Sequence, residues 1–150
     1  MPRFAFILIL LATFALADET SFSRIQVPDA KGRQTKADLV FSDDHKSIDI
    51  RPVKGTPVRI AFAAIDKFSY EFTKRHRINE GTVFTAPVGA GAVMMLTKSK
   101  SHWLEIDYHE GNIPKTYVVR MDKRNYISIL EAVKTHTGKD AEVLGNANKR

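Results

Sequence analysis

Hydrophobic and polar positions alternate with a period of two in a series of short segments between residues 37 and 121. Leu39 and Phe41 share one face of Ala37–Ser42, Ile48 and Ile50 one face of Ser47–Arg51, and Val58, Ile60 and Phe62 one face of Val58–Phe62. In Lys67–Phe72 the residues Phe68, Tyr70 and Phe72 oppose Lys67, Ser69 and Glu71. Ser101–Tyr108 sets His102, Leu104, Ile106 and Tyr108 against Trp103, Glu105 and Asp107, and Lys115–Met121 follows as a hairpin partner. Such alternation predicts half-buried strands. Asp43-Asp44-His45-Lys46, Pro52–Pro57 and His109-Glu110-Gly111-Asn112 have the composition of turns.

The period then changes. Tyr126, Leu130, Val133 and Thr137 are spaced 4, 3 and 4, which predicts one amphipathic helix over 123–137. Asp122 is its expected N-cap and Gly138 its stop. Strands followed by a single closing helix predict an α+β domain: a strongly bent antiparallel sheet or open barrel of six to seven strands, closed by that helix. Residues 18–36 read as a polar arm with a short strand at Arg24–Val27, residues 37–144 as the domain, and 145–150 as a frayed tail. The stretch 81–97 has no charge, three Gly and one Pro. Its end, Ala90–Leu96, fits a short helix or a buried strand equally well.

The first 17 residues have another pattern. Arg3 precedes a run that is apolar from Phe4 to Leu16 except for Thr13, and Ala15-Leu16-Ala17 is a small-x-small site. That order predicts a secretory signal peptide cleaved after Ala17, and hence a periplasmic or secreted chain. A run of 13 residues is short of the ~20 a spanning helix needs. The leader holds one Arg and no acid, so the net charge of +6 becomes +5 on cleavage. The chain has no cysteine, which excludes disulfides, thiol catalysis and Cys-ligated zinc.

The strand hairpins, then SHWLEIDYHEGN, then KTYVVRMDKRNYISILEAVKTHTGKD, resemble the pleckstrin-homology and GRAM-like superfold. More narrowly, they are similar to small exported bacterial proteins of unknown function with that layout. The likeness spans about residues 36–144 and bears on fold. It implies a domain of the kind that binds lipids, peptides or protein partners. Phosphoinositide binding does not carry over: the first hairpin turn, Asp43-Asp44-His45-Lys46, is half acidic, and an exported chain would not meet those lipids.

Candidate chemistry is thin. No histidine pair has metal-ligand spacing, no Gly-x-Ser-x-Gly is present, and Gly89-Ala90-Gly91 lacks the Lys and Ser/Thr of a phosphate loop. No cofactor, metal or catalytic residue is therefore assigned. The charge pattern says more. The basic residues Lys74, Arg75 and Arg77, and then Lys98 and Lys100, bracket the uncharged stretch 81–97. They could form an anionic-surface site, with Val93, Met94, Met95 and Leu96 entering a bilayer interface. The plainer reading makes those four residues core and the bases a solvated rim. Nucleic acid is not an expected partner, although an exposed Trp103 or Tyr126 would permit it. The chain thus reads as an exported, non-enzymatic binding or scaffold module of unknown partner. A peripheral membrane-surface protein is the alternative. A small hydrolase built on Glu105, Asp107 and His109 is the distant one.

Overall fold

The computed structural model describes residues 18–29, 31, 33–77, 83–84 and 94–145, and side chains outside 74–99. The expected signal peptide at 1–17, most of the uncharged stretch 81–97 and the expected frayed tail beyond Gly145 lie outside the described residues. Four strands form the first wing: β1 (Glu19–Pro28), β2 (Gln34–Ser42), β3 (Ser47–Pro52) and β4 (Val58–Ala61). A 3-10 turn at Phe62–Ala64 leads into β5 (Ile65–Arg77). The short β6 (Val83–Phe84) is followed by β7 (Met94–Glu110), β8 (Ile113–Met121), the helix α1 (Tyr126–Thr137) and β9 (Ala141–Leu144). One sheet runs β4-β3-β2-β1-β8-β7-β5-β9, with β6 on β8.

The wings meet at a seam. β1 pairs along its length with β2 but touches β8 through one bridge, Gln26 to Arg120. Side chains from both wings nevertheless join one core. The core between them holds Leu39, Phe41, Ile48, Ile50 and Ile60 from one wing, and Phe68, Leu104, Ile106 and Val119 from the other. From α1, Ile129, Ala132 and Val133 are buried. Each fully buried Leu, Ile or Phe contributes roughly 1.5–3 kcal/mol, so the alternating strands and the helical stripe supply the main driving force together.

Several expectations change. The polar arm expected at 18–36 is strand over most of its length. β1 is ten residues long and carries a bulge between Phe22 and Ile25 that shifts its register. That bulge hides the alternation: Phe22 packs on the core before it, and Ile25 and Val27 after it. The helix starts at Tyr126, not at 123, and its N-cap is Asn125. Asp122 instead closes the preceding turn, its carbonyl accepting from the Asn125 and Tyr126 amides and its Oδ1 from the Arg124 amide at 2.8 Å. Gly138 does end the helix, at φ 71°.

The ambiguous end of the uncharged stretch is strand where it is described. Met94, Met95 and Leu96 pair with Arg77, His76 and Arg75 in β7 and β5. β9 was not expected at all. It runs parallel to β5, as the returning chain must after crossing on a helix. The sheet is therefore mixed rather than antiparallel, has nine strands among the described residues rather than six or seven, and is not closed. Trp103 and Glu105, placed by alternation on the solvent side, are buried at 0% and 4% exposure. The Trp103 indole donates to the Thr73 carbonyl at 3.0 Å, which removes Trp103 as an exposed stacking residue.

Candidate functional site

The β1 bulge opens the seam. Arg24 sits in it with φ 64°, a left-handed conformation rare for a side chain of its size. The Asn125 side chain holds the bulge from across the seam by donating to the Ser23 carbonyl at 2.8 Å. Beside it lies a cleft of about 410 Å³ lined by Arg24, Gln26, Phe72, Lys100, His102 and Arg120, and by the Met121–Lys123 turn. Arg24, Lys100 and Lys123 are exposed. Arg120 is fixed instead: its Nε donates to Ser101 Oγ at 3.0 Å and its guanidinium to Gln26 Oε1 at 2.9 Å. Among the described residues, Asp122 is the one acid of the lining.

Aromatic rings form the wall. His102 stacks on Tyr126 at 3.7 Å between centroids and on Phe72 at 4.5 Å, with planes within 25° of parallel. Its Nδ1 is hydrogen-bonded to the Tyr70 hydroxyl at 2.8 Å. Burial pushes the His102 imidazole below its ordinary value, with the Asp122 charge acting the other way, so the ring is neutral at pH 7. Burial raises the Tyr70 phenol, so it stays protonated. Phe72 is 49% exposed, and Lys100 Nζ lies 5.8 Å from its ring centroid, within cation–π reach.

Only part of this site was legible beforehand. Of the basic residues singled out, Lys100 lines the cleft. Lys74, Arg75 and Arg77 fall in β5 and Lys98 in β7, but their side chains are outside the described residues, as is Val93 altogether. Arg24, Arg120 and Lys123 were missed. Each stands apart from the basic runs in the chain, and only the seam gathers them.

Glu105, Asp107 and His109, the residues of the hydrolase alternative, each have partners within the fold. Glu105 is buried. Asp107 accepts from Thr116 Oγ1 at 2.6 Å, and burial raises its carboxyl despite that bond. His109 is paired with Asp66. Among the described residues, no group of three or more His, Asp or Glu side chains is arranged to hold a metal ion.

One relay is complete: Thr20 Oγ1 to His136 Nε2 at 2.8 Å, and His136 Nδ1 to Asp43 Oδ1 at 2.9 Å. It has the connectivity of a nucleophile, base and acid. The His136 side chain, however, is only 3% exposed and stacks on Phe41 at 5.3 Å. The relay works as a clamp tying the end of α1 to β1 and to the β2–β3 turn.

No family model and no curated protein sequence matches the chain. A chain in the solved structure of the Spt16D Pob3N heterodimer is similar in fold, with a TM-score of 0.51 over 89% of this chain and 10% sequence identity. This chain spans 58% of the length of that one. At that identity the likeness speaks for fold alone, and it supports a PH-like superfold.

Proposed function

We propose that this protein is an exported, non-enzymatic binding module that holds an acidic partner at the seam cleft. The carrying observation is the convergence of Arg24, Lys100, Arg120 and Lys123, from well-separated parts of the chain, on one concavity with one carboxylate. Such a grouping raises the local potential and draws in anions. Export rests on the Arg3, apolar run and Ala15-Leu16-Ala17 pattern. N-terminal sequencing of the exported product should read Asp18 first.

Binding is tested by titrating the mature chain with poly-L-glutamate. Affinity should fall steeply with added salt, because exposed charges are screened over about 8–10 Å. Replacing Arg24, Lys100 and Lys123 with Gln should abolish binding with the melting temperature unchanged. Replacing the exposed Lys31, Lys54 and Lys139 should not. Equal effects of the two triple variants would reduce the reading to net charge, and absence of binding at low salt would remove it.

A further inference from the structure

We propose that the acidic partner is an extended peptide segment in which an aromatic residue is flanked by carboxylates, the aromatic ring packing on Phe72 and the carboxylates on Arg24, Lys100 and Lys123. This rests on the binding reading above and specifies its ligand. Among the described residues, the large exposed hydrophobics are Val53, Phe72, Ile113, Ile127 and Val143. Phe72 is the aromatic one, and it opens into the basic cleft. Its ring is not free to swing away, because it stacks on His102, which stacks on Tyr126 and is hydrogen-bonded to Tyr70. A ring held in place in this way offers a docking face with little ordering left to lose on binding.

The cations stand around that face. Lys100 lies over the ring itself, while Arg24 and Lys123 line the same cleft. The acid among them is already engaged, since Asp122 Oδ1 accepts from the Arg124 amide. The cleft therefore asks for a ring and negative charge together.

Its shape asks for a chain rather than a compact molecule. A second cleft, of about 500 Å³, adjoins the first and shares Arg24, Gln26 and Asp122 with it. It continues along the first wing past Lys36 and Asp38 to Val53, which is 75% exposed. Arg24, lifted by the bulge, borders both. A segment crossing Arg24 would set its ring in the first cleft and run its backbone into the second, with a carboxylate near the shared guanidinium. Arginine suits that position because its planar fork can hold a carboxylate through two parallel hydrogen bonds.

The test uses the mature chain and three unlabelled peptides, read by isothermal titration calorimetry: acetyl-Glu-Glu-Tyr-Glu-Glu-amide, the same peptide with Gly for Tyr, and the same peptide with Gln for every Glu. The first should bind about tenfold tighter than either of the others, the ring and the charges each contributing. Phe72→Leu should bring the Tyr and Gly peptides to equal affinity while leaving the weaker, salt-sensitive binding of the Gly peptide intact. Equal affinity of the Tyr and Gly peptides for the unmodified chain would overturn the ring assignment and leave the acidic-partner reading standing. Failure of all three, with poly-L-glutamate also silent, would remove both. Tighter binding of vesicles containing anionic phospholipid than of the Tyr peptide would overturn the peptide assignment in favour of a membrane surface.

Discussion

At the scale of single residues, two buried polar side chains, Asp49 and His136, tie the fold together, and Asp49 does so in a pH-dependent way. Asp49 is 5% exposed yet ionised, because Arg59 grips it with two hydrogen bonds of 2.8 and 2.9 Å and Ser47 and Arg51 add two more. The Arg59 bonds outweigh burial and hold the carboxyl at about 2. Its folded value lies below the unfolded one, so the stabilisation is full above the unfolded value near 4 and is lost as pH falls through 2. Asp49→Asn should cost on the order of 2 kcal/mol at pH 7. The gap from the unmodified chain, measured by denaturant melts, should shrink between pH 5 and pH 2. A gap constant across that range would mean that the side chain acts by shape and not by charge. His136→Ala should cost about 2–3 kcal/mol, since it empties a buried site and strips Thr20 and Asp43 of a partner. Hydrogen exchange should then rise first at the C-terminal turn of α1 and the start of β1, where the clamp acts.

At the scale of elements, α1 is the closing piece and its two ends differ. The C-terminal stop is local: Gly138 adopts φ 71°, and its amide donates to the Lys134 carbonyl at 2.9 Å. Nothing lies within 4 Å of where a Cβ would stand, so Gly138→Ala should cost only the backbone strain, about 1 kcal/mol. The inward face carries the packing. Ile129 is fully buried and Leu130 half-buried, so Ile129→Ala should cost about 2–5 kcal/mol and Leu130→Ala clearly less. Equal midpoints for the two variants would contradict the deeper burial of Ile129. At the N-terminal side Asp122 makes bonds of the capping type, its Oδ1 accepting from the Arg124 amide and its carbonyl from the Tyr126 amide, but residues 123–125 form a turn and the helix begins at Tyr126.

At the scale of the whole molecule, the strand alternation and the change to helical spacing determined the element types, their order and the α+β class. Those are local signals: a period of two buries one face of a strand, and a 4-3-4 spacing buries one stripe of a helix. Gly138 and the hairpin turns were legible for the same reason. What the alternation could not carry were features created by meeting surfaces. The β1 bulge reverses the parity of its strand, so Phe22, Ile25 and Val27 looked like a polar arm. Trp103 and Glu105 are buried on the face that alternation assigns to solvent. β9 is a strand because β5 offers it an edge. Apart from Lys100, the candidate site belongs to this second kind. Arg24 and Arg120 are 96 positions apart, yet the bridge beside Arg24 joins Gln26 to Arg120 across the seam. No run, spacing or motif marks them, because a basic cleft is defined by which strands become neighbours, and that choice is made only when the two wings close over a shared core.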